Sequence, residues 1–412
     1  MKALEFNIAP PRWIACKVGG WITHRAKYGR LSGLRLVDRP IPDLPGPRWV
    51  RLKTVLGGVC GTDLSLVTLR NHPATILECF ARFPAILGHE NLAVIDKVGA
   101  GVTNWRPGRR VCVEPALGCA AREETPCPAC ADGRASQCAH PGNAELPPRA
   151  LIGLNRLTGG SWASHFVAHE SQLHAVPDEL PDDTAILVDP IASALHAVLR
   201  RPPTATERVL VSGSGIIALG VVTGLRAIGF GGSIHCVMRH RFQAELARAV
   251  GATDILIHPR GMTNAQRYDD VARALGGKRL PARFGNRTLL GGADVVYDCT
   301  GTGRGLADAI KWTRPRGTMV AVGTSGHAWV DTTPLWFDEI NVVGANGRQI
   351  ETFEGNRQHT YRLVLDWLAT GRLKLGSIRV TRFNLTDYRV AFQQLLTRSR
   401  HPIIKAVFAP NG

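Results

Sequence analysis

The chain has 412 residues, enough for two domains of ordinary size, and hydrophobic residues make up 44% of it. Its longest apolar runs are too short to cross a bilayer, and its first residues lack the cationic and apolar stretches of a secretory signal. The formal charge of +17 means that an anionic partner, either a nucleic acid or a membrane, has to be considered.

The basic residues, most of which are arginine, are scattered along the chain rather than gathered into one block. This distribution favours a solvated basic surface over a dedicated nucleic-acid face. We therefore expect no nucleic-acid partner, and because no apolar run is long enough to span a bilayer, we expect no membrane partner. The ten cysteines indicate free thiols or metal ligands rather than a disulfide framework, and we expect a cytoplasmic protein.

Residues 1–185 are rich in glycine, proline and short β-type runs. Strands are predicted over "WVRLKTVLGGV", "NLAVIDKVG", "RRVCVEP" and "SHFVAHE". These runs predict a strand-rich domain with long loops.

From about residue 190 strands and helices alternate. The predicted strands are "RVLVSG", "SIHCVM", "ADVVYDCTG" and "GTMVAVGT", and the predicted helices are "GIIALGVVTGLRAIG" and "FQAELARAVGA". Such alternation indicates a parallel sheet with crossover helices. Residues 261–291 are predicted to form a long surface excursion. After residue 326 we predict a helix over "RLVLDWLATGRL" and a final strand over "IIKAVFAP".

A glycine-rich turn follows the strand "RVLV" and has the spacing G-x-G-x-x-A at Gly213, Gly215 and Ala218. The first glycine makes the turn, the second lets the backbone approach a pyrophosphate, and the small third residue lets helix and strand pack closely. A plain glycine turn is the alternative. The position of the motif, after a strand and before a helix, favours dinucleotide binding.

The next strand ends at Met238, where enzymes that use NAD usually carry an acidic residue that holds the ribose. Arg239 and Arg241 follow it and could pair with a 2′-phosphate. The alternative is that both arginines belong to a basic surface. We predict that NADP(H) is preferred over NAD(H).

Two sets of candidate metal ligands precede the glycine turn. The first consists of Cys60, His89, Glu90 and Asp189, a mixed set that suits a catalytic zinc with an open position. For any one of these residues alone, a buried thiol, a core histidine or a capping carboxylate is the more common reading.

The second set consists of Cys127, Cys130 and Cys138, with Cys119 the nearest candidate for a fourth ligand. Four thiolates would close the coordination shell, so this set predicts a structural zinc site. A redox pair in "CPAC" is the main alternative, and it is disfavoured by the further cysteines nearby.

In this order, the motifs resemble those of the zinc-dependent medium-chain dehydrogenase/reductase family, which includes alcohol, polyol and threonine dehydrogenases. The resemblance covers nearly the whole chain, from "MKAL" through "VLGGVCGTD", "ILGHEN" and the cysteine segment to "VLVSGSGIIALG". It implies an α/β protein with a GroES-like β-rich catalytic domain over residues 1–189 and a doubly wound Rossmann coenzyme domain over residues 190–326. Residues 327–412 would return to the catalytic domain.

The resemblance also implies residue roles. Cys60 and His89 match the catalytic zinc ligands, Glu90 the adjacent glutamate, and Asp189 the position of a further ligand. Thr62 matches the hydroxyl residue that passes on the alcohol proton. Ser65 stands where many members carry a relay histidine, so the relay could run through water, the ribose or another side chain.

Two departures from the family pattern concern other positions. In the cysteine segment the usual first ligand would fall on Glu124, so Cys119 completes the set only if the intervening loop bulges outward. The segment before His89 is longer than usual and should remodel the substrate site.

The family implies zinc-dependent hydride transfer between an alcohol or polyol, or the matching carbonyl compound, and NADP(H). It also implies a homodimer or homotetramer. A zinc-free NADPH-dependent reductase of the same superfamily is the first alternative, and a basic zinc-ribbon protein that binds nucleic acid is the second.

Overall fold

The computed structural model describes residues 1–324 and 326–411. The chain divides into two compact units. The first contains Met1–Asp189, Gly347–Leu365 and Arg379–Gly412, and the second contains Pro190–Asn346 and Asp366–Ile378. The first unit thus resumes at Gly347, later than the predicted return at residue 327.

The strands are numbered in chain order. The first eight are β1 (Lys2–Phe6), β2 (Leu34–Asp38), β3 (Trp49–Gly58), β4 (Ala85–Ile86), β5 (Asn91–Val98), β6 (Arg110–Val113), β7 (His165–His169) and β8 (Leu173–Ala175). The next eight are β9 (Val209–Ser212), β10 (Ile234–Met238), β11 (Asp254–Ile257), β12 (Lys278–Pro281), β13 (Arg287–Leu290), β14 (Ala293–Asp298), β15 (Thr313–Ala321) and β16 (Asn341–Gly344). The last are β17 (Ile350–Phe353), β18 (Asn356–His359), β19 (Val380–Phe383) and β20 (Lys405–Phe408).

The α-helices are numbered in the same way. They are α1 (Pro10–Ile22), α2 (Gly61–Val67), α3 (Pro128–Ala131), α4 (Asp182–Ala185), α5 (Val188–Arg200), α6 (Ile216–Ala227), α7 (Arg241–Ala249), α8 (Asn264–Ala274), α9 (Gly303–Trp312), α10 (Thr333–Phe337), α11 (Thr360–Ala369) and α12 (Tyr388–Leu396). Short 3-10 helices lie at His24–Lys27, Ile76–Phe80, Ala120–Arg122, Ala135–Gln137, Glu170–Gln172, Arg283–Gly285 and Leu385–Asp387.

The first unit is built on a seven-stranded sheet whose central strand is β3, the predicted "WVRLKTVLGGV" run. The sheet has the order β19-β20-β3-β5-β6-β8, and β7 also pairs with β3. A smaller sheet, β2-β1-β4, lies in the same unit, as does the hairpin β17-β18. The antiparallel pairing of β3 with β5 places Gly57 opposite Asn91, which matters for the metal site described below.

The second unit is a parallel six-stranded sheet with the order β11-β10-β9-β14-β15-β16. Chain order runs outward from β9 in both directions, as in a doubly wound dinucleotide-binding fold. The predicted strands and helices of this unit are confirmed at β9, α6, β10, α7, β14 and β15. The final strand β16 explains why the second unit extends past residue 326.

Each unit has its own apolar core. In the first, a cluster around Phe6, Trp162, Phe392 and Phe408 includes buried residues of α1 and α12, and a second cluster fills the space around β3. In the second, Trp312 packs among buried residues of α8, β14 and α9.

The prediction for residues 261–291 was incomplete. This segment contains α8 and the hairpin β12-β13, and Tyr268, Val271 and Leu289 are buried in the core of the second unit. Helix α1 was not predicted, because its sequence lies in a stretch that was interpreted as strands and loops.

Candidate functional site

The first candidate site is a buried cluster of three ligand-type side chains, Cys60, His89 and Glu90. One ligand atom from each of them lies within 4.8 Å of the others. Cys60 follows β3 and precedes α2, whereas His89 and Glu90 come directly before β5. Since the end of β3 pairs with the start of β5, the sheet register brings these two short segments together. Cys60 keeps part of its surface exposed, whereas His89 and Glu90 are buried.

Asp63 supports this cluster in two ways. Its carboxylate accepts a hydrogen bond from the backbone N–H of Cys60 at 3.0 Å and so caps α2. Its other oxygen lies 3.3 Å from Nδ1 of His89, although this contact does not have hydrogen-bond geometry. A carboxylate beside a metal-binding imidazole orients the ring and raises its basicity.

The thiol and the imidazole perturb each other's protonation. Burial raises the pKa of Cys60, but the neighbouring His89, with a smaller contribution from Lys405, lowers it to about 7. Burial lowers the pKa of His89, but Asp63 and Cys60 raise it to about 10. The pair thus holds a proton that metal binding would release.

Glu90 is held by a buried cation that the sequence analysis did not identify. Lys405, on β20, forms an ion pair with Glu90 and donates a hydrogen bond to the backbone oxygen of Val59 at 3.1 Å. Both residues are 1% exposed. The approach is close because Gly58 has no side chain: a Cβ there would lie 2.3 Å from Oε2 of Glu90.

Asp189, the fourth predicted ligand, is occupied by other partners. One carboxylate oxygen pairs with Arg348, and the other accepts a hydrogen bond from the Tyr361 hydroxyl. Burial would lower the pKa of Arg348, but Asp189 holds it above its ordinary value. Asp189 therefore does not belong to the group of ligand atoms formed by the other three residues.

The two predicted relay residues lie one turn apart on α2. The Thr62 hydroxyl is 3.7 Å from Sγ of Cys60, and both Thr62 and Ser65 are half-buried. Residues three apart on a helix lie on the same face. Thr62 is thus beside the candidate metal ligands and Ser65 is one turn further along.

The second candidate site brings four cysteine sulfurs together: those of Cys119, Cys127, Cys130 and Cys138 lie within 4.8 Å of one another. Cys119 reaches the group through the 3-10 helix Ala120–Arg122, which is followed by a left-handed residue at Glu123, where φ is 56°. This is the bulging loop that the sequence spacing required.

Each of these four sulfurs accepts a backbone N–H bond at 3.4 to 3.5 Å. Hydrogen bonds from the Ala139 and Cys130 backbone lower the pKa of Cys127 to about 6. Donors of this kind favour thiolates. Among the described residues every cysteine is a free thiol, so the structure forms no disulfide here.

The glycine turn lies in the second unit between β9 and α6. Gly213 has a φ of +131°, and a Cβ there would lie 2.9 Å from backbone atoms of Cys299, so glycine is required. Gly215 caps α6, and a Cβ on it would meet nothing within 4 Å. Ala218 is fully buried in the helix packing. The space beside Gly215 suits a phosphate group at a helix N-terminus.

The residues after β10 differ in exposure. Met238 is only 1% exposed and belongs to the sheet core, whereas Arg239 and Arg241 are exposed. Burial lowers the pKa of Arg304, and the charges of Arg267 and, to a smaller extent, Arg239 lower it further.

Other residues around the metal site were also missed. Lys405 could have been found, because a single charge interrupts the apolar run "IIKAVF". Asp63 follows the ligand cysteine by three residues, a spacing typical of helix caps. Arg348 and Tyr361 reach Asp189 from sequence separations of 159 and 172 residues, which no local pattern reveals.

Both ligand sets fit zinc. Sulfur, imidazole and carboxylate donors in the first set suit a zinc ion with an open position, and four thiols in the second suit a closed tetrahedral site. In the first set, Nδ1 of His89 faces the Asp63 carboxylate and Oε2 of Glu90 faces the Lys405 ammonium, so the fit to zinc rests on the donor types and on their convergence within 4.8 Å.

Comparisons with known proteins agree with these features. Residues 46–178 match the family model of the alcohol dehydrogenase GroES-like domain, and residues 217–370 match that of the zinc-binding dehydrogenase domain. Among curated proteins, the chain is 28% identical over 373 residues to sorbitol dehydrogenase of Gallus gallus, covering 90% of this chain and 91% of that one. It is 27% identical over 370 residues to L-idonate 5-dehydrogenase of Vitis vinifera, covering 88% of each.

The similarity of this chain to a solved structure supports the fold described above. A thermostable alcohol dehydrogenase from Pyrobaculum aerophilum superimposes with a TM-score of 0.71 at 22% identity, covering 100% of this chain and 99% of that one. Among the residues that the structure describes, none of the helices is both long and apolar enough to cross a membrane.

Proposed function

Because the chain belongs to the zinc-dependent medium-chain dehydrogenase/reductase family, we propose that it transfers a hydride between an alcohol or polyol and NADP(H). The reverse reaction would reduce the matching aldehyde or ketone. The observation that carries the proposal is the buried cluster of Cys60, His89 and Glu90, whose donor set suits a catalytic zinc.

The residues in and around the metal site have different proposed roles. Zinc held by Cys60, His89 and Glu90 would supply a Lewis acid for the substrate oxygen. The Thr62 hydroxyl, 3.7 Å from the Cys60 sulfur, is placed to accept the proton of the alcohol and pass it onward. Asp63 keeps His89 oriented through its carboxylate.

Asp189 stays a predicted ligand in this proposal. Both of its oxygens are bonded, to Arg348 and to Tyr361, so ligation requires that one of these bonds be exchanged. The four-cysteine group is proposed to hold a second, structural zinc, supported by its four converging sulfurs and their backbone donors. Location in the cytoplasm and assembly into a dimer or tetramer also stay predictions.

The proposed preference for NADP(H) is supported by charge beyond the end of β10. Arg239 and Arg241 are exposed, and Met238 supplies no carboxylate that would repel a 2′-phosphate. The loop from Gly213 to Ala218 would hold the pyrophosphate. Hydrogen bonds to charged groups contribute about 1.5–3 kcal/mol each.

Arg239→Ala tests this preference. We expect its NADPH affinity to fall by roughly ten- to a hundredfold, since about 1.4 kcal/mol is a factor of ten, while NADH affinity changes little. Fluorescence titration of both cofactors at fixed salt measures the ratio. An equal loss of affinity for NADPH and NADH would show that Arg239 does not recognise the 2′-phosphate.

A substrate panel tests the reaction itself. Purified protein would be assayed with sorbitol, L-idonate, L-threonine and simple alcohols by following the formation of NADPH. We expect turnover with at least one polyol and its loss after zinc is removed by a chelator. Turnover that survives complete loss of zinc would contradict the proposal and favour a zinc-free reductase.

A further inference from the structure

Helix α1 lies in an excursion between two paired strands. Strands β1 and β2 form an antiparallel pair, and residues 7–33 connect them. Hairpin connections are usually two to five residues long, and longer ones often carry function. The matched family region begins only at residue 46, so this excursion lies outside it.

The inner face of α1 packs on the first unit. Cys16 is fully buried, Gly20 is buried, and Trp13 packs against the apolar core. The Cys16 thiol donates to the backbone oxygen of Ala26 at 3.1 Å. The helix is therefore a fixed part of this unit, with a defined face toward solvent.

The outer face of α1 is an exposed apolar stripe. Ile14 and Val18 are 57% and 47% exposed, and Trp21 and Ile22 are 86% and 85% exposed. These positions are spaced i, i+4, i+7 and i+8, which places them on one side of a helix. Single exposed apolar residues are common, but a contiguous stripe marks an interaction surface.

The chain segment that carries this stripe contains only positive formal charge. Residues 6–34 contain no aspartate or glutamate, and they contain the five basic residues Arg12, Lys17, Arg25, Lys27 and Arg30. The ammonium of Lys17 lies 5.1 Å above the Trp13 ring, at the border between the packed face and the stripe. A lysine in this position can extend its charge toward a polar interface while its stem covers apolar surface.

An arginine-lined cavity adds to this positive field. It has a volume of about 500 Å³ and opens beside α1, and its lining includes Arg12, Arg30, Arg35 and Arg389. The guanidinium of Arg12 donates to the backbone oxygen of Leu31 at 3.0 Å, which fixes its position. Such a cavity suits a phosphate or carboxylate group.

We propose that α1 docks the protein on an anionic lipid bilayer, with its apolar stripe in the interface and the basic residues of 6–34 among the lipid headgroups. A helix with an apolar face, a tryptophan and flanking cations is typical of interfacial membrane binding. The expectation of no membrane partner rested on the lack of a spanning segment, and a helix lying in the interface needs none. This function is additional to hydride transfer.

Charge disfavours a second copy of the chain as the occupant. A twofold interface places the same patch on both subunits, so the cations around one stripe would face those around the other. With no carboxylate in residues 6–34, no ion pair within the patch would offset that repulsion. An anionic surface has the complementary charge.

Vesicle co-sedimentation with the full-length protein tests the proposal. We expect binding to phosphatidylcholine vesicles containing about 30% phosphatidylserine, weaker binding to pure phosphatidylcholine, and a loss of binding as salt is raised. Failure of the wild-type protein to bind, or equal binding to both kinds of vesicle, would overturn the proposal.

One pair of variants tests the apolar stripe. Trp21→Ser with Ile22→Ser should weaken binding to the anionic vesicles by at least about tenfold, because the variant lacks two apolar side chains that would be buried in the bilayer interface. Trp336→Ser with Phe337→Ser, which removes two aromatic side chains that are 71% and 70% exposed elsewhere, is the matched control and should bind like wild type. Equal binding by the first variant and wild type would contradict the assignment of the stripe.

A second pair tests the cations. Arg25→Gln with Arg30→Gln should weaken binding roughly 25-fold, about fivefold for each charge removed near the surface. Arg106→Gln with Arg248→Gln removes the same charge from other exposed positions and should change binding much less. Equal losses in both variants would show that net charge alone attracts the protein.

Analytical ultracentrifugation without lipid tests the other possible occupant of the stripe, a second copy of the chain. The variant Trp21→Ser with Ile22→Ser should keep the wild-type oligomeric state and dehydrogenase activity. A smaller assembly for this variant would show that the stripe is covered by a second copy, which overturns the proposal.

Discussion

Lys405→Met removes the cation that neutralises Glu90 and leaves a carboxylate that is 1% exposed without its partner. Breaking a buried ion pair by removing one partner costs about 3–5 kcal/mol, because the remaining charge stays desolvated. The hydrogen bond from Lys405 to Val59 is lost as well. For a domain of about 150–250 residues this corresponds to a fall of roughly 6–20 °C in the midpoint of thermal unfolding.

Differential scanning calorimetry of wild type and variants, all stripped of zinc by a chelator so that no metal ion neutralises Glu90, measures this change. Lys53→Met, on the exposed side of β3, is the control and should shift stability by no more than about 0.5 kcal/mol. In the double variant Glu90→Gln with Lys405→Met, both charges are gone, and most of the loss should be recovered. A Lys405→Met midpoint within about 2 °C of wild type would refute the reasoning that this pair is buried and coupled.

Three further outcomes are expected. Thr62→Val should lower kcat by about two orders of magnitude or more with little change in KM, whereas Ser65→Ala should lower kcat much less. Steady-state kinetics measure both effects, and a normal kcat for Thr62→Val would show that Thr62 takes no part in proton transfer. Cys130→Ala should lower the thermal unfolding midpoint and the zinc content together, and an unchanged midpoint would argue against a structural site. Cys79→Ala, at an exposed cysteine outside the group, should leave the midpoint and the zinc content unchanged.

The parallel sheet of the second unit could be predicted from the sequence because its signals are local. Short apolar strands such as β9 alternate with helices such as α6, and the glycine turn joins them at a fixed spacing. Two residues of the metal site, Cys60 and His89, could likewise be predicted because each lies in a short motif. Their meeting then follows from the register between β3 and β5.

The residues around the metal ligands could not be predicted in this way. Lys405 reaches Glu90, and Arg348 reaches Asp189, only after the chain has returned to the first unit. Long-range ion pairs leave no periodic trace in a sequence. Helix α1 was missed for a different reason. It has apolar residues on its exposed face as well as on its buried face, so its sequence lacks the one-sided apolar pattern by which an amphipathic helix is predicted.

Zinc content measured together with dehydrogenase activity is the most direct test of the central claim, that Cys60, His89 and Glu90 hold a catalytic zinc. For the wild-type protein we expect two zinc ions per chain, one in this cluster and one among the four cysteines. Cys60→Ala should retain the fold and one zinc ion and lose turnover of every substrate in the panel. A Cys60→Ala protein with full zinc content and wild-type turnover would contradict the account.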